Sequence, residues 1–201
     1  MSPTPGEQLA RGVTAAAVTL EAPPVVALYV RPDGPYPGLG VDTWDEVRDA
    51  TRYEGPYPVV AHPPCAPWGS EWQRSTQRAD LAVRAVQQVQ RWGGALEHPA
   101  ASRLWQARGL PRPGEPADRW GGVTISVLQS RFGHSAPKPT WLYLVRVRAP
   151  LVVPPCVDDP QGRVRAMKVD ERERSPVAFA LWLVELARTV AMGNQWGRGG
   201  V

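Results

Sequence analysis

Apolar residues gather in two kinds of stretch along this chain. One kind is a continuous run rich in β-branched residues, as in PVVALYV (Pro24–Val30) and YPVVAH (Tyr57–His62). Such runs predict strands buried on both faces. ALEHP (Ala95–Pro99), GVTISVLQ (Gly122–Gln129) and TWLYLVRV (Thr140–Val147) read as further strands. The second kind has helical spacing. Between Arg78 and Trp92, Leu81, Ala85, Val86 and Val89 fall on one face, and Gly93-Gly94 supplies the stop. Phe179, Leu183, Leu186 and Val190 make a similar stripe in a helix expected from Pro176 to Met192, with Ser175 as its cap and Pro176 at its first position. Shorter helices are expected in DTWDEVRDA (Asp42–Ala50), capped by Asp42, and in SRLWQARGL (Ser102–Leu110), capped by Ser102. RPDGPYPGLG (Arg31–Gly40) breaks regular structure, and its Gly-Pro-Tyr-Pro returns at Gly55–Pro58 as turn chemistry without a repeat architecture.

Strands alternating with helices define an α/β class. The expectation is a single Rossmann-like domain over residues 24–192, with a mainly parallel sheet flanked by helices. A flexible tail is expected at 1–23 and another at 193–201. In such folds ligands bind beyond the C-terminal ends of the strands. His62–Cys65 follows one strand and Glu97–Pro99 closes another, so parallel neighbours would bring the two segments to one crevice.

Composition narrows the class. The 201 residues are 43% hydrophobic and 21% charged, enough for one buried core. No apolar run approaches the roughly eighteen residues of a membrane span, and MSPTPGEQLARG lacks a signal-peptide pattern. Two cysteines, Cys65 and Cys156, are too few for a disulfide framework. These readings lead to an expected cytoplasmic protein with no membrane partner. The net charge of +4, carried almost wholly by arginine, allows nucleic-acid binding without requiring it.

Chemistry-bearing residues cluster in three segments: AHPPC (Ala61–Cys65), LEHP (Leu96–Pro99) and QSRFGHSAPKPTWLYLV (Gln129–Val145). A lone cysteine is by default a small buried hydrophobe. Cys65, however, follows two prolines at a strand end, and Glu97 would be costly among apolar neighbours unless partnered. Most of the tryptophans read as core; Trp68, beside Cys65, is the one best placed to stack on a base.

Together and in this order the three segments resemble the DNA cytosine-5 methyltransferase superfamily, most nearly its small phage and prophage methyltransferase-like members. The resemblance covers about residues 57–146. It implies Cys65 as a nucleophile adding to ring carbon 6 and Glu97 as the carboxyl group at the pyrimidine edge. It implies substrate contacts from Pro64, Trp68, Ser70, His98, Gln129, Arg131, Lys138 and Thr140, with His98 standing where the family carries asparagine. It also implies S-adenosylmethionine, whose site would draw on Asp33, Gly34, Gly38, Gly40 and Asp42, although RPDGPYPGLG lacks the family's Phe-x-Gly-x-Gly pattern. The substrate would be DNA or a pyrimidine nucleotide. A thiolate nucleophile needs a rigid mount and nearby positive charge or amide groups, and a base inside a duplex would have to be flipped out.

Two other readings stay open on the residues alone. One is a catalytically degenerate nucleotide- or nucleic-acid-binding protein of the same fold. The other is a metal-dependent hydrolase or deaminase built on His62, Cys65 and His98.

Overall fold

The computed structural model describes residues 24–70, 72–148, 167–168, 171 and 174–190. The expected tails and Cys156 lie outside the described residues. Six strands form one sheet: β1 (Val26–Leu28), β2 (Asp42–Trp44), β3 (Val59–Ala61), β4 (Gly94–Pro99), β5 (Gly122–Leu128) and β6 (Pro139–Val145), in the order β2-β1-β3-β4-β6-β5. Among the described residues the α-helices are α1 (Asp80–Trp92), α2 (Leu104–Ala107) and α3 (Val177–Arg188).

The α/β class holds, but the sheet is mixed where a mainly parallel one was expected. β2, β1, β3 and β4 pair in parallel, whereas β6 is antiparallel to both β4 and β5. Connection length explains the difference. β3 reaches β4 through α1, a crossover long enough for parallel pairing. β5 reaches β6 through a 3-10 turn (Gln129–Phe132) and a short loop, and so returns antiparallel. β6 therefore runs against the other five strands, wedged between β4 and β5.

Side-chain alternation sends each strand's residues to two cores. Val26, Leu28, Val59, Ala61 and Leu96 pack with Ala82, Ala85, Val86 and Val89 of α1 and with Leu104 and Trp105. Ala27, Val60, Ala95, Leu142 and Leu144 pack with Phe179, Ala180, Leu183, Val184 and Ala187 of α3. Leu81 of the expected α1 stripe is only half-buried, and Ala82 takes its place. Gln88 is buried on the same helix because its amide is satisfied: it donates to the carbonyls of Ala50 and Tyr53 and accepts from the Tyr29 hydroxyl. α3 begins at Val177, and Pro176 stands at its cap with no side-chain hydrogen bond, so Ser175 does not play the expected part.

One expected element is of the wrong kind. Asp42–Trp44 is a parallel edge strand and not the first turn of a helix. Val41, Thr43 and Trp44 are half-buried against the sheet edge, and tertiary packing overrides a short local helix signal. No helix among the described residues is long and apolar enough to cross a membrane.

Candidate active site

The chain leaves β1 toward β2 on one side and later returns to place β3 on the other. The sheet therefore has its topological switch point between β1 and β3, where a ligand crevice is expected beyond the strand ends. Both loops bordering that point carry polar side chains that meet there. Tyr36, in the 3-10 turn Tyr36–Leu39 after β1, places its hydroxyl 2.5 Å from Nε2 of His62, just beyond β3. His62 Nδ1 lies 3.2 Å from Oε2 of Glu97 on β4. Gln129, at the end of β5, donates its Nε2–H to Oε1 of Glu97 at 3.1 Å and to the Thr140 hydroxyl at 3.0 Å. The Thr140 hydroxyl donates to the Lys138 carbonyl.

The polarity of this chain follows from its acceptors. Burial pushes the Glu97 carboxyl up, but its hydrogen bond from His62 and the charges of His62, Lys138 and His98 outweigh that and hold its pKa down to about 2. Glu97 is thus a carboxylate at neutral pH and accepts only. His62 must carry its proton on Nδ1. Nε2 shares the 2.5 Å hydrogen bond with Tyr36, whose phenol stays protonated because burial and the Glu97 charge raise its pKa. The Gln129 amide must turn its nitrogen to Glu97, which leaves its buried Oε1 without a hydrogen-bond partner. The result is a directed line of O–H and N–H groups, Tyr36 to His62 to Glu97, ending on a carboxylate that is 13% exposed.

Cys65 stands three residues beyond His62, after two prolines that fix the backbone. It is half-buried and begins the 3-10 turn Ala66–Trp68, and its carbonyl accepts from Trp68 N–H. That loop is fastened to the segment after β4: Arg103 N–H donates to the Trp68 carbonyl, and the Arg103 guanidinium reaches the Pro67 carbonyl. Backbone in sparsely populated regions flanks the crevice on two sides, with φ of 58° at Tyr29 and 41° at Lys138, positions of a kind that cluster at functional sites. The Lys138 ammonium donates to the Arg174 carbonyl at 3.1 Å, which ties the approach to α3 to this end of the sheet.

The expected site residues divide. Glu97, Gln129 and Thr140 share one hydrogen-bonded network, with the Lys138 charge acting on Glu97. Pro64 and Cys65 share the loop beside it, Ser70 is exposed at that loop's far end, and Arg131 lies half-buried in the turn beyond Gln129. Trp68 is half-buried and packs against the α1-side core with its indole nitrogen buried. His98 is fully buried on the face opposite Glu97, edge-on to Trp105. The metal reading loses its geometry with it: among the described residues no three His, Cys, Asp or Glu side chains are grouped to hold an ion. Sequence reasoning missed Tyr36, hidden in a Gly-Pro-Tyr-Pro turn, and took His62 only as a possible ligand. The signal available was that His62 directly follows a buried strand and Tyr36 lies in the loop that follows another.

The residues that the resemblance assigns to S-adenosylmethionine all lie between the end of β1 and the start of β2. Asp33 is engaged by Arg31, with Arg174 3.6 Å away. Gly34 closes a turn onto the Arg31 carbonyl. Gly38 and Gly40 face open space, and Gly40 takes φ of 67° simply to end the 3-10 turn. Asp42 pairs in register with Val26, at the end of β2 away from the crevice, and is bound by Arg48 and Trp44.

His98 supplies a stability test. Burial lowers its pKa to about 4, only partly opposed by Glu97 and by the Pro64 carbonyl, which approaches the ring without meeting hydrogen-bond geometry. The folded state therefore holds His98 neutral while the unfolded chain protonates it below the ordinary 6.5. Its contribution is complete above pH 6.5 and is lost as pH falls toward 4, by roughly 3 kcal/mol in all. Denaturant titrations of His98→Leu are expected to show a flatter stability profile across that window than the parent. An equal slope in the two proteins would rule His98 out as the source.

Comparison with protein-family models, curated proteins and solved structures found no match to this chain.

Proposed function

We propose that the crevice modifies a pyrimidine base in DNA or a nucleotide, with Cys65 as nucleophile and Glu97 as the edge-binding group. The observation that carries the reading is Glu97 itself: a largely buried carboxylate held ionised at the switch point by His62 and Gln129, with Cys65 three residues along the chain from His62 on a proline-fixed loop.

The chemistry balances without a donor for its first half. The Cys65 thiolate forms a bond to ring carbon 6 of cytosine. The C5–C6 π pair moves into the C4–C5 bond, and the C4–N3 π pair moves onto N3, which takes a proton. That proton is supplied through solvent by the one the Cys65 thiol released on ionising, and the hydrogen-bearing ring edge so formed is what the Glu97 carboxylate accepts. Carbon 5 is now nucleophilic. In the absence of another electrophile it takes a proton from water. Reversal removes either hydrogen from carbon 5 and expels the thiolate.

The reaction therefore predicts exchange of the carbon-5 hydrogen in deuterium oxide. Mass spectrometry of deoxycytidine monophosphate and of a cytosine-containing oligonucleotide should show deuterium gain with the parent protein and none with Cys65→Ser. A second reading, binding without chemistry, is favoured by the tied-up β1–β2 loop; it predicts ligand affinity with no exchange in either protein.

A further inference from the structure

A groove on the described surface lies away from the crevice. It has a volume of about 510 Å³ and is lined by Gln87, Gln90 and Arg91 of α1, by Arg119 and Trp120 before β5, and by Arg146 after β6. Gly94 at the start of β4 pairs with Val145 at the end of β6, while Pro99 pairs with Thr140. Arg146 and the groove are thus at the opposite end of the sheet from Glu97.

The groove is a built surface. Asp118 lies behind it with its carboxylate turned inward: Oδ1 accepts from the backbone N–H of Trp120 and Gly122, and Oδ2 accepts from the Tyr143 hydroxyl at 2.6 Å. Gln90 reaches the same hydroxyl. The Asp118 turn therefore presents Arg119 and Trp120 outward on a base anchored to β6 and α1. Trp120 is 45% exposed, with the Arg119 guanidinium 5.3 Å from its ring centroid. Arg146 bonds the Arg91 carbonyl at the C-terminal end of α1. Among the described residues none of the three arginines has a carboxylate within ion-pair distance, and no acidic side chain lines the groove.

We propose that this groove binds a single-stranded nucleic-acid segment. Three guanidinium groups match backbone phosphates, and an exposed indole offers a stacking face that only an unstacked base can use. The two glutamines add donors and acceptors for a base edge. An acidic peptide would answer the charge but leave the indole unused.

The test is fluorescence anisotropy of a labelled oligothymidylate with the whole protein over a series of salt concentrations. Trp120→Ala is expected to weaken binding by about tenfold or more. Arg119→Ala is expected to weaken it and to reduce the slope of log affinity against log salt by about 0.7. Both side chains are exposed, and circular dichroism checks that the variants fold. No binding by the parent, unchanged affinity in Trp120→Ala, or competition by polyglutamate as strong as that of unlabelled strand would each overturn the proposal. Carbon-5 exchange on the mononucleotide does not pass through this groove, so the two readings fail separately.

Discussion

Glu97→Gln is expected to lower carbon-5 exchange by between about a hundredfold and ten-thousandfold, the range set by loss of a positioned acid–base group, while leaving the fold intact. The substitution is isosteric, and its surroundings can accommodate it. His62 Nδ1–H still finds an oxygen on residue 97. The new amide nitrogen needs an acceptor, and a flip of the neighbouring Gln129 amide brings its buried, unpartnered Oε1 to face residue 97, in exchange for the Nε2–H bond to the Thr140 hydroxyl. What disappears is the negative charge that accepts from a protonated ring edge. Exchange should therefore collapse while the thermal midpoint moves by only a few degrees. His62→Gln should give a smaller loss, because Glu97 then keeps its charge and its Gln129 contact but loses the imidazole proton. Substantial exchange in Glu97→Gln would remove Glu97 from the chemistry and leave its network a structural one.

The same network shows what can be read from the sequence. Apolar runs located β1, β3, β4, β5 and β6, because strands buried on both sides need continuous hydrophobicity whatever their neighbours. They could not give strand direction, which rests on how β5 returns into β6. Glu97 was legible as a candidate because a buried carboxylate needs partners, and Gln129 because the resemblance implied a substrate contact there. The partners were not legible: Tyr36 and His62 are 26 residues apart, and His62 and Glu97 are 35 apart. Only the β1–β3–β4 adjacency joins them. Glu97 and His98 were read as one motif, yet strand alternation puts them on opposite faces, one facing the crevice and the other the α1-side core. Asp42 makes a related point: register sets it opposite Val26, at the end of β2 away from the crevice, which its residue type alone could not tell.

Gly94→Ala is expected to be the most destabilising single methyl group that can be added to this sheet. Gly94 has a φ of 110°, a region essentially closed to side chains, and its Cβ would lie 2.0 Å from the Val59 carbonyl oxygen and 2.9 Å from that residue's own nitrogen. These are backbone atoms of the paired strand, so no rotamer change relieves the clash. Val59 pairs with Gly94 in register, and the preceding Gly93 carbonyl accepts the Val59 N–H. Relief requires β3 to move away from β4. Backbone strain of this kind costs about 1–3 kcal/mol by itself, and the loss of strand pairing adds about 1 kcal/mol for each hydrogen bond broken. A total beyond about 4 kcal/mol is a large share of the 5–15 kcal/mol that holds a domain together. The consequence extends to the crevice, since β3 carries His62 and β4 carries Glu97. Gly122→Ala makes a useful contrast: its Cβ would meet the Tyr143 ring at 2.3 Å, but Gly122 keeps ordinary backbone angles and a side chain can shift where a strand cannot. Denaturant unfolding of both variants should therefore rank Gly94→Ala well below Gly122→Ala. The reverse order would mean that the β3–β4 pairing yields more easily than the packing of Tyr143.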